Sequence, residues 1–378
     1  MNSDLPEGLS AHNKPKRKGP LWRILRFVLS LFLLMAIVAA GMLEFLTLTE
    51  YRPEEREIVS VEPGGREMVG EGDALRILTW NCGYGALGDN ADFFMEGGKS
   101  VYTADEKRVR SNISGIAQAV ADLEPDVVFF QEVDRESMRS RGVEEVITLN
   151  NVLLQHFGIE YTSAFAYNLD VRFIPFPIPP IGKVRSGLLT FSSARAESAE
   201  RIRLPNPFGW PLRLANFKRC LLVERVPLQN NGKELVLINL HLEAYDSGEG
   251  KAEQTRMLRE ILEEEAEKGN YVIAGGDFNQ SFTSTDLTAY PQQEDTWAPG
   301  RIDTAEFGEG WQCLMDSAVP SCRGLNKPYE GADHDTFQYY VVDGFIVSPN
   351  IEVKSCSAQD LGFAFTDHNP VLMECVLK

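Results

Sequence analysis

Four apolar runs in this sequence end on side chains that could do chemistry: Trp80-Asn81, Phe130-Gln131-Glu132, Asn239-Leu240-His241 and Ala274-Gly275-Gly276-Asp277-Phe278-Asn279. A further polar pair, Asp367-His368, lies near the C-terminus. Ligands of α/β sheets bind at the carboxyl ends of strands, so these positions are candidates to converge on one crevice. Together they supply what hydrolysis of a phosphodiester needs. That substrate is an anion that repels nucleophiles, so its charge must be neutralised, a water activated and the departing oxygen protonated. Hard oxygen ligands from Glu132, Asp367 and the Asn81 amide suit Mg²⁺, which takes few protein carboxylates and keeps several waters. An imidazole beside a carboxylate, as in Asp367-His368, manages protons near neutral pH.

The elements that must carry these residues are visible in the pattern of apolar positions. Leu75 to Cys82 reads as a strand. Thr103 followed by Glu106 forms a capping box that opens a helix with the stripe Val109, Ile113, Ile116, Ala117 and Val120. Pro125 ends that helix, and Asp126 to Val133 is nearly all apolar, as expected of a strand covered on both faces. Val146, Leu149, Leu153 and Phe157 mark a second helix. Further strands are expected at Gly187 to Phe191, Cys220 to Val226, Leu235 to Leu242, Tyr271 to Ala274, Tyr339 to Val347 and Val371 to Val376. Lys251 to Lys268 reads as a helix that turns Met257, Leu258, Ile261 and Leu262 inward and leaves Glu263, Glu264, Glu265 and Glu267 on a solvated face. Such alternation indicates the α/β class. Val171 to Ile181 interleaves Phe173, Ile174, Phe176, Ile178 and Ile181 with four prolines; because proline removes ladder donors, it reads as an extended apolar loop.

The N-terminus has a different character. Six basic residues against two acidic ones give residues 1–26 a local net of +4, which leaves −22 of the formal −18 for the remainder. Phe27 to Leu43 is an unbroken apolar run apart from Ser30 and small residues; extended over 21–48 it is long enough to cross about 30 Å of hydrocarbon. The positive-inside rule keeps the basic tail, residues 1–20, in the cytoplasm and sets the acidic body outside, as a single-pass cell-membrane protein. A cleaved signal peptide, with Val38, Ala39 and Ala40 as its small-residue site, is the alternative. Thr49 to Asp73, charged and aperiodic with Pro53 and Pro63, reads as a linker to a domain over residues 74–378. Of six cysteines, Cys313 and Cys322 are the best pair for one bridge, and no cysteine–histidine spacing points to zinc.

The motifs TWN, FQE, NLHLEA, GGDFNQ, VVDGFIVS and TDHNP follow one another in the order used by the endonuclease/exonuclease/phosphatase superfamily, which the sequence resembles over nearly all of Leu75 to Lys378. The resemblance implies a four-layer α/β sandwich, with two mixed β-sheets face to face and helices outside. It implies that Asn81 and Glu132 hold the metal, with Asp367 beside the metal and phosphate. Asp277 would position or deprotonate the attacking water. Asn279 and His241 would donate to the phosphoryl oxygens, and His368, oriented by Asp343, would stabilise the same charge or move a proton. Mg²⁺ is the expected ion, with Mn²⁺ or Ca²⁺ as alternatives.

The remaining polar residues have plainer readings. Asp246, Asp303 and Asp316 are expected as turn residues and His334 as a loop residue. Nucleic-acid binding calls for a basic surface, which the net charge disfavours, although Lys183, Arg185, Arg213, Lys218 and Arg219 could form a local rim. The stretches Gly182 to Leu188 and Lys218 to Glu224 look similar to neutral sphingomyelinase-like members, which with the anchor points to a lipid headgroup or small phosphodiester as substrate. Two other readings stand beside it, an extracytoplasmic nuclease and a catalytically inactive tethered binding module.

Overall fold

The computed structural model describes residues 19–65, 68–158, 160–229 and 232–378. The basic tail expected over residues 1–20 lies almost wholly outside the described residues. Two units result, split after Leu48.

The first unit is a single helix, α1 (Pro20–Leu48), of 29 residues with a mean hydropathy of 2.4 in its most apolar window. At 1.5 Å per residue it spans roughly 43 Å, more than the hydrocarbon core of a bilayer. A membrane span and a signal sequence both meet these criteria of length and composition.

The second unit holds fourteen strands in two mixed sheets: β1 (Arg56–Val59), β2 (Val61–Glu62), β3 (Ala74–Asn81), β4 (Val127–Asp134), β5 (Thr162–Ile174), β6 (Gly182–Ser192), β7 (Ser198–Arg203), β8 (Cys220–Pro227), β9 (Glu234–His241), β10 (Tyr271–Asp277), β11 (Gln312–Leu314), β12 (Asp343–Val347), β13 (Ile351–Ala358) and β14 (Val371–Leu377). One sheet has the order β1-β7-β8-β9-β10-β12-β11 and the other β13-β14-β3-β4-β6-β5-β2. Helices α2 (Glu106–Leu123) and α3 (Glu145–Phe157) cover the second sheet, and α4 (Glu249–Glu267) covers the first.

Strand alternation explains the four layers. In β3 and β4, Leu78, Trp80, Val128 and Phe130 turn toward the helices, while Leu75, Ile77, Val127 and Phe129 meet Leu235, Leu237, Ile273 and Phe345 of the facing sheet. The helical stripe Val109, Ile113, Ile116, Ala117 and Val120 is wholly buried against that outer face. Polar residues continue the inner rows. Gln131 Nε2 donates to Asn239 Oδ1 at 2.8 Å, and Asn239 Nδ2 donates to the carbonyls of Phe130 and Leu189, each at 3.1 Å. This buried amide link ties the sheets together directly beneath the ends of β3, β4 and β9.

Several expectations change. Segment 49–73 is more than a linker: β1 pairs with β7 at the edge of one sheet and β2 with β5 at the edge of the other. The cap of α2 is Asp105, whose carboxylate accepts from Arg108 N, whereas Thr103 donates to Ala86 O. β5, β7, β11 and β13 were not apparent in the sequence. β5 extends to Ile174, so only residues 175–181 of the proline-rich segment are a loop, and they form the tip of the β5–β6 hairpin. Tyr339–Tyr340 pairs with Cys322–Arg323, apart from β12. All six cysteines are free thiols, and Cys313 lies on β11 while Cys322 lies on the separate ladder with Tyr340.

Candidate active site

β9 and β10 run parallel, and β12 runs antiparallel to β10, so His241, Asp277 and Asp343 lie side by side in register. β3 and β4 end in the same direction with Asn81 and Gln131 paired, and Glu132 follows at a bulge with φ of +53°. The turn before β14 supplies Asp367 and His368. It is stitched down by Trp80 Nε1 donating to His368 O at 2.9 Å, Thr366 Oγ1 donating to Asn81 O at 3.0 Å and Arg323 N donating to Asp367 O at 3.0 Å.

Six of the eight singled-out side chains form one connected network, Asn279 joins it through its backbone N–H, and Asp367 faces the same pocket. Asp277 is the hub. Its Oδ2 accepts from Asn81 Nδ2 at 3.0 Å and stands 3.3 Å from His241 Nε2 and 3.9 Å from His368 Nε2, and its Oδ1 accepts from Asn279 N at 2.8 Å. Asn81 Nδ2 also reaches Glu132 Oε1 at 3.3 Å. His368 Nδ1 bonds Asp343 Oδ2 at 2.8 Å, and Asp343 is anchored in turn by its backbone N–H, which donates to Ser321 Oγ at 3.1 Å. Asp367 faces the same pocket, with Oδ1 accepting from Thr366 Oγ1 at 3.1 Å. Asn279, left-handed at φ +51°, spends one amide hydrogen on Leu242 O at 3.0 Å.

Electrostatics divides the residues into kinds. Burial, reinforced by Asp343, pushes the Asp277 carboxyl up to about 7, which suits a group that takes a proton from water. Burial opposes charge on His368, yet Asp343 overcomes it and raises the imidazole well above its usual range. His241 goes the other way: burial and the Arg219 guanidinium hold it neutral, and its Nδ1 has no hydrogen-bond partner among the described residues. The two imidazoles are thus pushed in opposite directions, one toward its charged form and the other toward its neutral form.

Burial raises Asp367, and Glu132 beside it raises it further. Glu132 and Asp367, two carboxylates crowded into one pocket, fit a hard divalent cation, while Asn81 stands behind them with its Oδ1 accepting from Gly83 N at 3.0 Å and its Nδ2 turned to Glu132 and Asp277. Asp277, Asp343 and His368 also bring ligand-type atoms within 4.8 Å of one another, as do Cys322, Asp367 and His368. Burial pushes the Cys322 thiol up to about 12, which makes it a small neutral neighbour rather than a thiolate ligand.

The pocket encloses about 110 Å³, the scale of a phosphoryl group with an ion. Its wall includes residues that the motifs did not reveal: Tyr84, Phe93, Met95, Glu96, Arg139, Phe217, Tyr245 and Trp297. Arg139 lies 3.8 Å above the Tyr84 ring and is paired to buried Asp134 at 2.9 Å. Of the proposed basic rim only Arg219 lines this pocket; it is buried, stacked 4.3 Å over Phe217, and its Nε and Nη1 have no hydrogen-bond partner among the described residues. The plainer residues behave as read. Asp246, Asp303 and Asp316 accept from backbone N–H groups of their own turns, and His334 stacks on Tyr329 at 3.9 Å.

The sequence profile of the endonuclease/exonuclease/phosphatase family matches residues 78–368. No curated protein matches the sequence. Among solved structures, the chain is similar to an endonuclease/exonuclease/phosphatase from Beutenbergia cavernae at 19% identity and TM-score 0.53, over 80% of this chain and 72% of that one. It is similar to another from Bacteroides vulgatus at 17% identity and TM-score 0.50, over 81% of this chain and 100% of that one. A third, from Leptotrichia buccalis, gives 14% identity and TM-score 0.50, over 80% and 99%. These likenesses establish the fold, and the profile establishes the kinship: the chain belongs to the endonuclease/exonuclease/phosphatase family, whose members hydrolyse phosphoester bonds.

Proposed function

We propose that this protein is a divalent-metal-dependent phosphodiesterase anchored by α1, with its catalytic body outside the cytoplasm and a lipid headgroup or small phosphodiester as substrate. The observation that carries the reading is the meeting of Glu132 and Asp367 with Asp277, His241 and His368 in one pocket, backed by Asn81 on Asp277 and Asp343 on His368. Buried Arg219, a guanidinium in the pocket wall whose Nε stands 3.8 Å from the Glu243 carboxylate and makes no hydrogen bond among the described residues, supports an anionic ligand.

A divalent ion at Glu132 and Asp367 would neutralise phosphoryl charge; Mg²⁺ is the best match to their oxygen donors. The protein's own groups do the rest. Asp277, near neutrality and held by Asn81 and Asn279, orients a water and takes its proton. Neutral His241 and the second amide hydrogen of Asn279 donate to phosphoryl oxygens, where charge accumulates in the transition state. His368, kept charged by Asp343, stabilises that charge or gives a proton to the leaving oxygen.

The formal charge of −18 supports lipid or small-molecule phosphodiesters over nucleic acid. The test is hydrolysis of bis(p-nitrophenyl) phosphate by the full chain with added Mg²⁺, followed by sphingomyelin, phosphoinositide and DNA substrates. Activity is expected to vanish with a chelator and in Asp277→Ala and His368→Ala. Turnover that survives all three treatments sinks the reading.

A further inference from the structure

The register of the sheets puts three exposed features at the catalytic end of the sandwich. First, the β5–β6 hairpin outruns its neighbours. β4 ends at Asp134 opposite Ser186, yet β5 and β6 stay paired as far as Ile174 and Gly182. Those four further residues of β6 project the hairpin roughly 13 Å past the end of β4, at about 3.3 Å per residue. β4 points toward the catalytic end, so the hairpin does too. Its tip carries Phe176 and Ile178, 70% and 86% exposed, and Tyr102 fixes it by donating to Pro180 O at 2.6 Å.

Second, the β7–β8 connection emerges at the same end, since Arg203 pairs with Cys220 and Leu221 with Leu240, next to His241. This connection exposes Trp210 and Leu212, and its last residues, Phe217 and Arg219, are walls of the catalytic pocket.

Third, the chain enters the body there. β1 begins at Arg56 opposite Ile202, and the Glu50 carboxylate sits between Arg213 at 3.0 Å and Lys218 at 3.5 Å. In the sequence only Thr49 separates Glu50 from Leu48, the last residue of α1. The open cleft around Glu50 holds about 710 Å³ and is lined by Arg52, Arg56, Arg203, Arg213 and Lys218, which share three acids: Arg52, Arg213 and Lys218 on Glu50, Arg203 on Glu55 and Arg56 on Glu200. A positive surplus at one end of a strongly acidic chain is suited to anionic headgroups.

We propose that this end of the body is a membrane-docking face. Phe176, Ile178, Trp210 and Leu212 enter the interface of an anionic bilayer, the cleft cations meet lipid phosphates, and the pocket between them opens onto the headgroup layer. The inference rests on the phosphodiesterase reading only in making a headgroup diester of the bilayer its substrate. Aromatic and aliphatic tips flanked by cations are the composition that partitions into that interface.

The test uses the full chain in vesicles of phosphatidylcholine with about 30% phosphatidylserine. Spin labels are placed by Ile178→Cys, Leu212→Cys and, as a control, Met68→Cys, which neighbours the Val69–Leu228 bridge at the opposite end. Labels at 178 and 212 are expected to collide with oxygen in preference to a nickel chelate, and the label at 68 the reverse. Aqueous behaviour at both sites overturns the proposal, and so does shielding from both reagents, which indicates a second copy or another protein on this face. In parallel, Ile178→Ser with Leu212→Ser should lower hydrolysis of a fluorogenic phospholipid in the same vesicles by about ten-fold and leave bis(p-nitrophenyl) phosphate within about two-fold. Equal loss on both substrates also overturns it. If the wild type turns over neither substrate, the phosphodiesterase reading fails, while the label profile still decides docking.

Discussion

Replacing Asp343 with asparagine isolates what one carboxylate does for the site. The side chain keeps its size, so Ser321 Oγ still receives the Asp343 backbone N–H and the β10–β12 register is unaltered. What disappears is a negative charge 2.8 Å from His368 Nδ1. With charge centres about 4 Å apart and an effective dielectric near 20, such a pair is worth about 4 kcal/mol, or about three pKa units on the imidazole. Burial then meets much weaker opposition, and the imidazole loses most of what holds it charged. If the imidazolium works in the transition state, kcat/KM falls by about 10²–10³. The assay is bis(p-nitrophenyl) phosphate hydrolysis at saturating metal, for Asp343→Asn, His368→Asn and the double variant. Because the two residues act as one unit, the double variant should be no slower than His368→Asn alone. A single variant that keeps more than about a tenth of the wild-type rate, or a double variant slowed by the product of the two losses, refutes the dyad.

Other outcomes follow from the same structure. The Glu265 carboxyl is pulled down to about 2 because the Arg225, Lys268 and Asn270 bonds outweigh its burial. Its folded value lies below the usual 4.5, so the stabilisation is present above that value and lost as pH falls toward 2. Glu265→Gln should therefore cost roughly 1–3 kcal/mol near neutrality and much less near pH 3, read by urea denaturation. Gly276 has φ +154°, and a Cβ there would lie 1.9 Å from Leu240 O, so Gly276→Ala should destabilise by about 3 kcal/mol or more, seen as a lowered Tm or insoluble protein. Arg219→Met should raise KM for an anionic diester more than it lowers kcat, since the guanidinium binds charge before and during reaction; an unchanged KM argues against that role. If α1 is retained as a span, the protein should stay with membranes through alkaline carbonate, and release into the supernatant indicates a cleaved leader.

The catalytic strands were legible because each is a dense apolar run that stops at a polar residue. β3, β4, β9 and β10 are buried on both faces, so no alternation hides them. β5 was hidden for the opposite reason. Its half-buried pattern mixes Asn168, Asp170 and Arg172 into the run, and the prolines after Ile174 made the segment read as a loop. The chemical residues were found through motif order, but the walls of the pocket were not. Tyr84, Glu96, Arg139, Phe217 and Trp297 come from scattered connections and meet only in three dimensions. The Cys313–Cys322 bridge was inferred from loop composition, whereas the neighbours of both thiols are set by strand pairing far from one another in the sheets. Asp105 took the capping role from Thr103 because Thr103 bonds Ala86 O instead.

The Gln131–Asn239 link joins sheets that carry different parts of the proposed active site. Asn81 and Glu132 ride on the sheet of β3 and β4, while His241, Asp277 and Asp343 ride on the sheet of β9, β10 and β12. Neither sheet alone holds a working set. Turnover is therefore a gauge of how the two halves are seated, and a slip of one strand row against the other would silence the enzyme while leaving its secondary structure intact. A temperature or denaturant scan that follows activity and far-ultraviolet circular dichroism together should see activity lost first, by an interval that measures how firmly the buried amides hold the halves in line.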